Sequence, residues 1–220
     1  MLPEMPQQGR CSRKRTGAHR STMVGMSEIL FLGGRPSLDL VNTLRGRNDD
    51  VLGRRDLLAD AEGLRDWISR AGDEADWFTL DAPAGMPTDT ELADAVHLRE
   101  AVHDLALGNV EPADLDTVNR LALSQPVPAL TWDGTSFAVT GEDGPATVSQ
   151  VLGLLAADAV NLFATTAPER IKECAQPRCG MVFLDTSRGN RRRWCSMSTC
   201  GNRAKVKRFD DRAREAAAGA

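Results

Sequence analysis

The sequence predicts an α+β protein. A mainly helical N-terminal domain with a small sheet is followed by a compact C-terminal module organised around cysteines. Three observations carry this. Apolar residues recur at helical spacing in several segments between 36 and 166, with Gly- and Pro-containing breaks between them. Residues 131–140 alternate about Gly134 as a hairpin does. Four of the five cysteines of the 220-residue chain, Cys174, Cys179, Cys195 and Cys200, fall within 27 consecutive positions.

Residues 1–25 are polar and basic and read as a disordered tail, or as an extension upstream of a true start at Met23 or Met26. The helix-rich domain then spans 26–168. Ile29–Leu32 is a short apolar run ended by Gly33-Gly34, a strand followed by a turn. Pro36-Ser37 opens a helix that places Leu38, Val41 and Leu44 on one face. Residues 56–70 carry a second stripe, Leu57, Leu58, Ala61, Leu64, Trp67 and Ile68, with Gly72 as its stop. A linker at 79–90 precedes the clearest amphipathic helix, 91–107, and Pro112 opens a shorter one to 124. Residues 147–166 form a strongly apolar helix, expected to be buried and to end at Pro168.

The formal charge of -4 conceals an uneven distribution. Residues 1–20 carry +4, residues 21–169 carry -16 and residues 170–214 carry +9. An acidic body joined to a basic end implies that only that end meets a polyanion. No uninterrupted apolar run approaches the ~18 residues of a membrane helix, and no apolar segment follows the basic N-terminus as in a secretory signal. The expected location is therefore cytoplasmic, without membrane contact. Catalysis is not expected. His97 and His103 lie about 240° apart around one helix, and neither a Gly-rich phosphate loop nor a nucleophile elbow is present.

The cysteines follow the spacing Cys174-x4-Cys179-x15-Cys195-x4-Cys200. In a reducing compartment this pattern points to metal, and four thiolates are the donor set of a closed structural Zn2+ site. Pro177 and Gly180 bend a knuckle, Met181–Leu184 is a short strand, and Arg191–Trp194 is its expected return strand. The second cysteine pair opens a final helix to about Ala217, giving a treble-clef-like module over 169–217. With few large apolar residues, such a segment needs a metal or a partner to fold. Its cations are the nucleic-acid candidates: Arg191, Arg192 and Arg193 before the second pair, then Arg203, Lys205, Lys207 and Arg208 on the helix. Val206, Phe209 and Ala213 would form that helix's inward stripe. With no Tyr in the chain, and Phe183, Trp194 and Phe209 mostly packed, stacking on single strands is disfavoured relative to duplex DNA. An RNA-binding or protein-interaction module stabilised by zinc is the alternative.

Trp194–Lys205, with its Cys200-Gly201-Asn202-Arg203 core, resembles the CGNR zinc-finger family. So do Cys174, Cys179, Phe183–Ser187 and the arginine run before Trp194. Leu38–Thr43 and Leu98–Ala101 are similar to motifs of the ABATE domain, which commonly precedes that finger. The resemblance implies a bacterial, stress-induced transcription regulator. Its finger would bind zinc through the four cysteines and contact DNA, and its N-terminal domain would sense a small-molecule effector or form a homodimer. It also implies that Trp194 and Phe183 cover the zinc and that Asn202 braces the knuckle. Asp39, Asn42 and Arg99 are candidates for an effector pocket. The competing reading of the first two is a buried hydrogen-bond network, or capping of the first helix by Ser37 and Asp39.

Overall fold

The computed structural model describes residues 31–75, 83, 85–127, 129–140 and 146–218. Expectations for residues 1–25, for Ile29 and Leu30 and for positions 79–82 and 84 of the linker concern positions outside these. The elements run α1 (Pro36–Val41), β1 (Leu44–Arg45), β2 (Arg55–Asp56), α2 (Ala61–Ala75), α3 (Asp89–Ala106), α4 (Pro112–Ala122), β3 (Ala129–Trp132) and β4 (Phe137–Thr140). Then follow α5 (Val148–Thr165), β5 (Ile171–Glu173), β6 (Val182–Leu184) and α6 (Asn202–Ala218). The strands pair antiparallel as β1–β2, β3–β4 and β5–β6. The class is α+β and mainly helical, as the periodicity predicts.

Local chemistry fixes the helix boundaries. α3 and α5 both open on a capping box, Thr88 with Glu91 and Thr147 with Gln150. α2 starts at Ala61, later than the apolar stripe suggests, because Asp60 accepts from the Gly63 N–H at 2.8 Å and so occupies the N-cap. It continues through Gly72, the expected stop. Phe31 and Leu32 form no strand, yet the Gly33 carbonyl accepts from the Leu184 N–H at 2.8 Å and so runs beside β6.

α1 is short and lies in the centre of the molecule. Ser37, Leu38, Asp39, Leu40 and Val41 are all buried. Its first turn is capped from another helix: Asp158 of α5 accepts from the Ser37 N–H at 3.0 Å and the Ser37 hydroxyl at 2.6 Å, and it pairs with Arg35. Ser37 is therefore the donor and not the cap. Leu44 leaves the helical face predicted for it and enters β1. α5 is apolar and long enough, by composition alone, to cross a membrane. Here it packs against α1, α3 and α4, and Val151, Leu152, Leu155, Ala156, Ala159 and Leu162 are buried in the core. That core does not stop at the domain boundary read from the sequence. Ile171 of β5 and Val182 of β6 belong to the same apolar cluster as Leu38, Leu98 and Leu155.

Candidate metal centre and nucleic-acid interface

Each cysteine is delivered by a different piece of local structure. Cys174 follows β5, Cys179 closes the knuckle before β6, Cys195 ends the loop from β6, and Cys200 lies in the π-helical turn Met197–Gly201 that leads into α6. The strand partner of β6 is β5, on the other side of the knuckle. Arg191–Trp194, expected as the return strand, is a loop shaped by side-chain bonds. The four sulfurs lie within 4.8 Å of one another. The Cys179–Cys195, Cys195–Cys200 and Cys200–Cys179 separations are 3.7, 3.6 and 3.7 Å. A tetrahedron with Zn–S bonds of about 2.3 Å has edges of about 3.8 Å, so the residues fit one Zn2+. The Cys195 N–H points at Cys174 Sγ, 3.4 Å away. Hydrogen bonds from Cys179 and Cys195 pull the Cys174 thiol down to about 2, while the same sharing pushes Cys179 up to about 12 and Cys195 upward too. A metal that replaces those protons satisfies all four sulfurs together. Phe183 is fully buried against the cluster and Trp194 partly covers it.

Asp185 holds the loop before Trp194 in place. It has no exposed surface and accepts from Lys172 Nζ at 2.7 Å, the Arg192 N–H at 2.8 Å and the Ser187 N–H at 2.9 Å. Burial pushes its pKa up, but the Lys172 ammonium and the Ser187 and Arg192 donors outweigh burial and hold it below the usual carboxylate range. Lys172 also donates to the Asn190 and Arg192 carbonyls. An acid in a Leu-Asp-Thr-Ser stretch gives no sign of burial in a single sequence.

The predicted cations divide into two groups. Arg191, Arg193, Arg203, Lys205, Lys207 and Arg208 are exposed. Arg192 turns inward. Its guanidinium donates to the carbonyls of Leu32, Leu184, Trp194 and Cys195 and lies 4.3 Å over the Phe183 ring. The chain turns tightly just before these arginines, at Asn190, where φ is 49°. Arg191 and Arg193 flank a recess of about 410 Å³ lined by Trp194 and Met197, and Arg193 lies 5.2 Å over the Trp194 ring. On α6, Arg203 and Lys207 share one flank, and Lys205, Arg208 and Arg212 the other. Val206 and Phe209 do not pack inward: they are 61% and 74% exposed. α6 packs on the turn 197–201 at its start. The Ala213 side chain lies outside the described residues. Asn202 donates to the Ser198 carbonyl at 3.0 Å, across the last metal ligand.

Asp39, Asn42 and Arg99 each bond to the chain itself. Asp39 accepts from the Gly33 N–H at 2.8 Å. Asn42 bonds to both polar backbone groups of Val182, each at 2.9 Å, and so ties the end of α1 to β6. Arg99 reaches Asp56 of β2 at 2.6 Å and its neighbour Glu100 at 2.7 Å, while Glu100 holds Arg47. The segment from β1 to Asp49 in turn lies against the knuckle. A Cβ on Gly180, whose φ is +65°, would come within 2.7 Å of the Arg47 Cβ. Asn48 pairs with Glu173, and Asp49 lies 4.0 Å from Arg178. Arg45 and Arg47 stand in no sequence motif. Their signal was only the count of basic residues in an otherwise acidic stretch.

Comparison with known families accounts for both parts. No curated protein matches the chain significantly. Residues 170–213 match the CGNR zinc finger. Residues 34–166 match the ABATE model, described as "Putative stress-induced transcription regulator". With four cysteine sulfurs within 4.8 Å of one another in a matching zinc finger, the chain has one structural Zn2+. The chain belongs to the ABATE family, and its ABATE region is followed by a CGNR zinc finger.

Proposed function

We propose that the chain regulates transcription in the cytoplasm by binding duplex DNA through the cationic surface of its zinc finger. The observation that carries this reading is the division of charge by exposure. Arg191, Arg193, Arg203, Lys205, Lys207 and Arg208 are exposed on a segment of +9, while the preceding body carries -16. Phosphate contact by these cations positions the finger, and the body is repelled by the same polyanion. The zinc is structural, because four cysteines leave no coordination position for water. One finger buries little surface, so specific binding uses a second copy, with Val206 and Phe209 available on α6 for that contact. In this reading Asp39, Asn42 and Arg99 act as internal braces that relay the state of the body to the finger. An effector acts by changing that bracing.

The test contrasts neighbouring arginines. Arg191→Ala with Arg193→Ala should weaken duplex binding, lower the salt slope by about 2 and leave the melting temperature unchanged. Arg192→Ala should lower the melting temperature through its four lost carbonyl contacts. If the outward pair leaves DNA affinity unchanged, the surface serves another partner, and an acidic protein or RNA becomes the reading to pursue.

A further inference from the structure

The zinc centre is not built by the finger alone. A cleft of about 230 Å³ separates the knuckle from the body, and its walls include Cys179, Cys195 and Cys200 on one side and Arg45, Gly46 and Asp49 on the other. Arg45 belongs to β1, in the body, and is half-buried. Its guanidinium is within electrostatic reach of Cys179, Asp39 and Cys195. β1 is held there by register and by charge. Arg45 is paired with Arg55 on β2, the next residue Asp56 is fixed by buried Arg99, and Arg47 is fixed by Glu100. A Zn2+ bound to four thiolates carries a net charge of two minus, and a largely buried anion needs a nearby counter-charge. Arg203 and Arg178 also line the cleft, but both are exposed.

The structure assigns to Arg45 the role of counter-charge to the zinc–tetrathiolate centre, so that a residue of the ABATE body completes the metal site of the finger. This is a positioning and charge-balancing role, since Arg45 is not a ligand. It makes zinc affinity depend on the body being docked, and docking depend on zinc. Groups that support metal ligands without touching the metal are commonly worth 10–100-fold in affinity.

The experiment uses the full chain loaded with Zn2+ and a chromophoric chelator in competition, with Arg45→Gln and Arg45→Lys beside the parent. Co2+ replaces Zn2+ in a parallel series, so that the thiolate-to-cobalt absorption reports whether the four-sulfur site is intact. Arg45→Gln should lose at least tenfold in zinc affinity while its cobalt spectrum keeps the parent's shape. Arg45→Lys, which keeps the charge, should stay within about threefold. If Arg45→Gln fails to fold, a folded and zinc-retaining Arg45→Lys still supports the role. Parent-like affinity in Arg45→Gln overturns it. So does equal loss in both variants, because packing and not charge would then be what Arg45 contributes.

Discussion

Asp39 is an acid buried in the middle of an apolar helix, and its protonation is linked to folding. Burial pushes it up to about 7, against the pull of the Gly33 N–H, Asn42 and Arg45. An unfolded Asp titrates near 3.9. Between those values the folded chain holds a proton that the unfolded chain has released, so stability falls as pH rises from about 4 to about 7. The expected fall is about 2 kcal/mol between pH 5 and pH 7. Denaturant midpoints measured across that range should show it. Asp39→Asn, which keeps the shape without the ionisation, should flatten the profile. An unchanged slope in that variant would place the pH dependence elsewhere. The same acid was a pocket candidate in the sequence because a polar residue at an apolar position is the only visible sign of either role. Its bond to Gly33, six residues away in sequence, appears only in three dimensions.

At the scale of elements, what the sequence shows depends on how local the cause is. The helices at 91–107, 112–124 and 147–166 were legible because stripe, cap and stop all lie within them. The hairpin around Gly134 was legible for the same reason. The start of α2 was displaced because Asp60 captures the helix end, and Gly72 failed as a stop because one glycine costs a helix only about 1 kcal/mol. The strand at Arg191–Trp194 failed because Asp185 and Lys172 claim the loop, and neither carries a local signature. The spacing of the four cysteines was fully legible. The inward turn of Arg192 was not, since three consecutive arginines look alike in a sequence. Gly153 of α5 provides a sharp test of packing against propensity. A Cβ there would come within 2.3 Å of the Gln125 backbone nitrogen. Helix propensity alone predicts that Gly153→Ala stabilises by about 1 kcal/mol. The close approach of α5 to residues 124–125 predicts the opposite sign, a loss of about 1–3 kcal/mol. Thermal unfolding of that single variant decides between them.

For the whole molecule, the sequence divides the chain near residue 169 and the core does not. β5 and β6 place Ile171 and Val182 in the body's cluster, Asn42 grips the Val182 backbone, and Arg192 reaches back to the Leu32 carbonyl. The partner that a segment short of apolar residues needs is therefore both the metal and the body. Zinc removal should be felt well beyond the finger. A chelator should lower the melting temperature of the full chain and weaken the burial of Trp67, which lies in the body's core. Because Trp194 reports on the finger, the test is a Trp194→Phe chain followed by the fluorescence of its remaining tryptophans. An unchanged transition after chelation would mean that the body folds independently of the metal.

The cations exposed on this zinc-organised surface are the central functional claim, and salt tests it most directly. The measurement is fluorescence anisotropy of a labelled duplex titrated with the zinc-loaded full chain at several salt concentrations. With six exposed cations as candidates, log K should fall against log salt with a slope between about -3 and -6, and a Cys174→Ser, Cys179→Ser chain should lose binding. No binding at low salt, or binding that ignores both salt and the cysteines, would contradict a zinc-organised nucleic-acid surface.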